Sequence, residues 1–348
     1  MYSVSAPSTG AAPRPLALPG TPSRWPGLAL VLALAIIARA IGEALPLLGG
    51  AVCAILLGVL VRMHWTPSPR YRPGIAFASR SGLQVSIVLL GFGLDFAVIA
   101  RTGLASLPVT LATLGVAFAT AWWLGRVLRI PARLGTLVGV GTAICGASAI
   151  AATSPILRAD EHETAYALST IFLFNLVAVL LFPLLGHALQ LSDVGFGTWA
   201  GTAINDTSSV VAAGYAYSRE AGDVATVVKL TRATLIVPVC VVLAVLTAWQ
   251  SRRDGGDRPA LSRVMPWFVL WFLAASALRS GGLIPTALLP SLQAIAGFLM
   301  VMALSAVGLS ADLKRMAATG IRPILLGLGV WLAVAASSLG MQALLAQT

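Results

Sequence analysis

Runs of about twenty apolar residues, separated by short polar breaks, recur from residue 26 to residue 345. A hydrocarbon core of ~30 Å takes about 20 apolar residues per helical crossing. Eleven stretches have roughly that size: 26–42, 47–63, 75–94, 104–125, 134–153, 163–188, 195–217, 223–249, 264–280, 286–310 and 321–345. The pattern predicts an all-α integral membrane protein with about 11 transmembrane helices. Two stretches depart from plain lipid-facing helix. Residues 135–157 carry Gly135, Gly139, Gly141 and Gly146 among Thr142, Cys145, Ser148, Thr153 and Ser154, and Pro155 follows. Residues 201–209 read Gly-Thr-Ala-Ile-Asn-Asp-Thr-Ser-Ser. Backbone breaks at membrane depth only where protein or a watery cavity satisfies the freed groups. Both segments are therefore expected to be discontinuous helices lining a cavity, with amide ends suited to an anion.

Composition agrees with a membrane location. The chain is 58% hydrophobic and 10% charged, with a mean hydropathy of +0.90, too little polar surface to clothe a soluble globule. The net charge of +11 does not point to nucleic acid, because the arginines form no single basic face and no aromatic-basic module accompanies them. They sort by side instead. With the N-terminus cytoplasmic, sixteen basic residues fall inside: Arg14 and Arg24, then Arg62, Arg70, Arg72 and Arg80, then Arg126, Arg129 and Arg133, then Arg252, Arg253, Arg258 and Arg263, then Lys314, Arg315 and Arg322. Five fall outside: Arg39, Arg101, Arg158, Arg219 and Arg279. This asymmetry follows the positive-inside rule and puts the C-terminus outside. Residues 1–24, rich in Pro, Ser and Ala, read as a flexible cytoplasmic tail ahead of a membrane domain over 25–348. A cleaved signal peptide ending near Ala38-Arg39-Ala40 is the competing reading.

Enzyme chemistry has no foothold in the motifs. GxxxxGK[ST], HExxH, GxSxG and CxxC patterns do not occur, and His64, His162 and His187 lie in separate loops. No metal or cofactor is expected. Cys53, Cys145 and Cys240 fall inside spans and imply no disulfide framework.

The chain resembles itself in two places. Asp95-Phe-x5-Thr102-Gly103 follows the third stretch, and Asp312-Leu-x5-Thr319-Gly320 follows the tenth. Seven spans separate these copies, so they face opposite sides, as in an inverted-topology repeat. Gly141-Thr-Ala-Ile-x3-Ser148 matches Gly201-Thr-Ala-Ile-x3-Ser208. These lie two spans apart and are parallel if both cross fully, which one duplication does not reconcile with the first pair. Chance recurrence in small-residue packing faces is the plain alternative.

Ionisable residues inside spans cost about 2.5–3.5 kcal/mol on insertion scales and are functional candidates by default. Asp206 sits mid-stretch, and Lys229 and Arg232 lie i, i+3 on one face of the eighth. Two cations beside one carboxylate leave a surplus positive charge that an anionic solute would neutralise. The competing readings are a structural ion pair with Asp206, or Lys229 snorkelling to the interface. Asn175 reads as a packing residue more readily than a cavity group, Gln84 and Ser86 fit either, and Asp95 and Asp312 read as helix caps.

Gly141-Thr-Ala-Ile-Cys-Gly-Ala-Ser-Ala-Ile-Ala-Ala152, Gly201-Thr-Ala-Ile-Asn-Asp-Thr-Ser-Ser209 with Ala-Ala-Gly214, and Val-Val-Lys229-Leu-Thr-Arg232, in that order, resemble the YeiH-type sulfate exporter family of bacterial inner-membrane proteins. The resemblance covers roughly residues 30–345. It implies a multi-pass inner-membrane secondary transporter with inverted repeats and crossing broken helices, distantly similar to cation/proton antiporters and bile-acid symporters and often a homodimer. The implied solute is sulfate, sulfite or an organosulfur anion, coupled to H+ or Na+. Joined to the residue reading, this makes Thr142, Cys145, Ser148, Asn205, Asp206, Thr207, Ser208, Lys229 and Arg232 the candidate substrate-binding set. A cation/proton antiporter using Asp206 is the alternative. No sizeable soluble domain supports a receptor or enzyme.

Overall fold

A computed structural model of the chain describes residues 23–44, 49–250, 267–311 and 320–345. Among these the secondary structure is helical throughout. Seven helices are long and apolar enough to cross a membrane. They are α1 (Trp25–Ala44), α3 (Arg72–Gly91), α4 (Phe96–Val127), α7 (Glu161–Ala188), the nearly continuous α10 (Arg219–Thr234) and α11 (Ile236–Gln250), α13 (Leu289–Ser310) with the 3-10 turn Thr286–Leu288 ahead of it, and α14 (Ile321–Leu344). Two shorter apolar helices accompany them, α2 (Gly49–His64) and α12 (Trp267–Ser280). The tail assigned to 1–24 lies, but for its last two residues, outside the described residues, as do Asp312–Thr319 of the first self-similar pair.

The two polar stretches each form a pair of half-length helices: α5 (Ala132–Ala143) with α6 (Ala147–Leu157), and α8 (Asp193–Ala203) with α9 (Thr207–Tyr217). Eleven or twelve residues span only ~17 Å, about half a hydrocarbon core. Neither pair crosses as a broken rod, which corrects the expectation of full spans there. Ser218, just past α9, donates its hydroxyl to Asp193 Oδ1 at the start of α8 at 2.6 Å, and Tyr217 OH donates to Leu191 O at 2.5 Å. The pair is thus a hairpin that returns to the side it entered from. In the other pair, a Cβ on Gly141 would lie 2.9 Å from the Ile150 side chain. An uninterrupted helix would hold residues nine apart at ~13 Å, so α6 turns back along α5. Gly146 makes that turn with φ +65° and ψ −123°, a backbone region that only glycine enters without strain.

Because α7 crosses between them, the hairpins enter from opposite sides and meet tip to tip. The serine contacts of α12 agree: Ser276 donates to Leu94 O at 2.8 Å, and the Phe96 amide donates to Ser280 at 2.8 Å. These put the start of α4 beside the end of α12, so α4 runs to the face from which α5 enters. Asp95 caps α4, its carboxylate accepting from the Ala97 amide at 2.8 Å.

The helices pack as two bodies. One apolar cluster joins α4–α11 and α14, from Ala117 through Phe182 and Trp199 to Trp331. A second, with Val31, Ile75 and Leu309, joins α1, α3 and α13. Glycines allow close approach within each body: a Cβ on Gly201 would meet Val228 at 2.7 Å, bringing α8 against α10. Where the bodies touch, Val179, Val211 and Ala212 pack against Val52, Ile55 and Met300.

Candidate functional site: two hairpin tips and the cavity beneath them

The last carbonyls of a helix have no partner within the helix, and in a dry interior they must find one. At both hairpin tips the partner is α10. Lys229 Nζ donates to Ile144 O at 2.8 Å and to Ile204 O at 2.9 Å. Arg232 Nε donates to Ala143 O at 2.6 Å, while its two terminal nitrogens donate to Thr142 O and Thr202 O. Both cations are 0% exposed. Each Gly-Thr-Ala-Ile string therefore ends a half-helix at the crossing and presents its carbonyls to the same pair of cations. A helix C-terminus carries roughly −0.5 charge, so two of them complement about half of the two positive charges.

The sequence-predicted residues divide between this crossing and a cavity of about 580 Å³ between the two bodies. Ser148, Asp206, Thr207 and Ser208 line the cavity. Thr142, Cys145 and Asn205 are buried at the tips and are not lining residues, nor are Lys229 and Arg232. The Thr142 hydroxyl and both ends of the Asn205 amide are buried with no hydrogen-bond partner. Asp206 caps α9, accepting from the Ser208 amide at 2.9 Å and from the Ser208 hydroxyl. Asn175, on α7, accepts the Asp206 amide on Oδ1 at 3.1 Å, whereas its Nδ2 has no partner. At 4% exposed and lining the cavity, it is both the packing residue expected and a cavity group. Gln84 also lines the cavity, while Ser86 bonds Leu83 O.

Sequence reasoning placed Arg80 among the loop arginines. It lies eight residues into α3, within a π-helical turn, Ala78–Gly82, and it lines the cavity. Such turns re-aim side chains and recur at functional sites. Arg80 has no ion-pair partner among the described residues, where Arg39 and Glu43 make the one salt bridge. The opposite wall holds the N-terminal end of α6: Ala147 and Ser148 line the cavity, and the helix has no side-chain cap. Exposed N-terminal amides carry roughly +0.5 charge. The polar run Ser79-Arg80-Ser81-Gly82 inside an apolar stretch was the signal for this residue.

A second cavity, about 520 Å³, lies on the other side of the contact between the bodies. Arg219 and Gln293 meet across it, Nη2 to Oε1 at 2.5 Å, and Tyr215 OH donates to Asp223 at 2.5 Å.

Long apolar helices, two opposed hairpins and a cavity at their tips define a helical integral membrane protein. A family model described as conserved hypothetical protein 698 matches residues 26–327. The UPF0324 membrane protein SAG1125 of Streptococcus agalactiae serotype V is 40% identical over 329 residues, covering 92% of this chain and 97% of that protein. The UPF0324 membrane protein spyM18_1033 of Streptococcus pyogenes serotype M18 is 41% identical over 327 residues, covering 92% and 96%. The chain belongs to the UPF0324 membrane protein family. These names specify a membrane protein and no solute.

Proposed function

We propose that this protein is a secondary transporter of a small anion. The observation that carries the reading is Arg80, a cation with no carboxylate partner among the described residues, sharing a cavity at the hairpin tips with the uncapped end of α6 and the unpaired Asn175 Nδ2. Lys229 and Arg232 hold the tips together and supply background positive charge, while Arg80 meets the solute. Cavities on both sides of the contact between the bodies suit alternating access, with one body moving against the other. In this reading nine helical crossings and two re-entrant hairpins replace eleven crossings. Arg158 then moves to the inside and Arg80 into α3, so sixteen basic residues stay inside while the outside count falls from five to four. The positive-inside rule is obeyed more closely. The N-terminus is cytoplasmic, the C-terminus lies outside, and the Arg80 cavity opens inward, as an exporter of the bacterial inner membrane requires.

A cation/proton antiporter is the second reading. Its support is Asp206, the one acidic side chain lining the cavity among the described residues. Proteoliposomes decide between them. Protein-dependent uptake of labelled sulfate, sulfite or an organosulfonate is expected. Sodium-dependent proton release without uptake of any anion would favour the antiporter.

A further inference from the structure

We infer that the cavity takes an organic anion with an apolar body, a short alkylsulfonate or carboxylate, in preference to bare sulfate. This rests on the anion-transport reading and narrows it. A tetrahedral oxyanion fills about the volume of three waters, ~90 Å³ at ~30 Å³ each. The cavity is several times larger, at about 580 Å³. Its size falls in the range of organic-ligand pockets, ~300–1,000 Å³, which combine an apolar lining with a few placed polar groups.

The lining has that character. Ile55 and Val59 stand one turn apart on α2, Phe172, Leu176 and Val179 follow one another along α7, and Phe268 adds an aromatic ring. A hydrated inorganic ion gains nothing from these walls and loses its water against them. An alkyl chain gains from every methylene it buries, about 0.8 kcal/mol each, or about fourfold in affinity. Anchoring falls to Arg80, which would take the charged head, with the α6 amides and the Asn175 Nδ2 as further donors. Arg80 and Leu83 sit three residues apart on α3, so a head bound at the first leaves its chain beside the second.

The test uses the full-length protein in nanodiscs and equilibrium binding of labelled hexanesulfonate. Unlabelled methane-, propane- and hexanesulfonate, sulfate, and hexylammonium serve as competitors. Arg80→Ala corrects for partition into lipid, and Leu176→Asn probes the apolar wall. The expected result is displacement that strengthens about fourfold per methylene, with sulfate weaker than propanesulfonate. In Leu176→Asn the chain-length gradient flattens. Sulfate displacing the probe as well as unlabelled hexanesulfonate does would overturn the inference and leave anion transport standing. Binding of hexylammonium, or no Arg80-dependent binding of any anion, would overturn both.

Discussion

Ile144 and Ile204 present their carbonyl oxygens to one ammonium group, Lys229 Nζ, at 2.8 and 2.9 Å. The two residues are the last of two Gly-Thr-Ala-Ile strings that begin at Gly141 and Gly201. A hydrogen bond to a charged donor is worth about 1.5–3 kcal/mol, and an orphaned buried carbonyl costs a comparable amount. Lys229→Ala should therefore lower stability by about 3 kcal/mol or more, read by thermal or denaturant unfolding of the purified protein. Arg232→Ala removes three such bonds and should be at least as damaging. Wild-type stability in both variants would show that the tips hold without them.

Gly146 turns the first hairpin at φ +65°, and an added Cβ would come within 3.3 Å of Ile171. Gly146→Ala should cost about 1–3 kcal/mol through backbone strain. Gly282, also at positive φ, has open space around it and serves as the control: Gly282→Ala carries the dihedral strain without disturbing the hairpin. Solute binding should fall in the first variant and be retained in the second.

The hairpins fix the side on which Arg158 emerges. A single cysteine at Arg158, in a background freed of Cys53, Cys145 and Cys240, should react with a membrane-impermeant maleimide from the same side as one at Arg133. A full crossing by residues 134–153 requires labelling from opposite sides.

Arg219 and Gln293 join the two bodies on the face away from the Arg80 cavity. Cysteines at both positions, linked by a short bifunctional reagent, should abolish solute flux while leaving binding from the Arg80 side within about twofold. Flux that survives complete cross-linking would contradict movement between the bodies.

Much of this was legible in the hydrophobic pattern, and the limits have physical causes. Helix positions followed from apolar runs, because a bilayer demands such runs wherever a helix crosses it. Glycine and hydroxyl content marked residues 135–157 and 201–209 as broken. Composition alone cannot tell a half-helix that continues from one that turns back, since both bury the same side chains at the same depth. The fold-back became visible only in tertiary contacts such as Ser218 to Asp193. Each Gly-Thr-Ala-Ile copy ends the first arm of one hairpin. Lys229 and Arg232 were readable as buried cations, but their partners are backbone carbonyls, which carry no sequence signature. Arg80 reads as a loop residue in the sequence because it stands near the start of its stretch, and the π-helical turn that aims it is a local irregularity that side-chain periodicity does not encode.

On the anion-transport reading, Arg80 meets the solute while Lys229 and Arg232 hold the fold. Arg80→Ala should melt at the wild-type temperature and lose about tenfold or more in affinity for a labelled organosulfonate in nanodiscs. Lys229→Ala should show a lowered melting temperature in the same assay. Wild-type affinity in Arg80→Ala, or a Lys229→Ala protein that melts normally yet no longer binds, would contradict this division of roles.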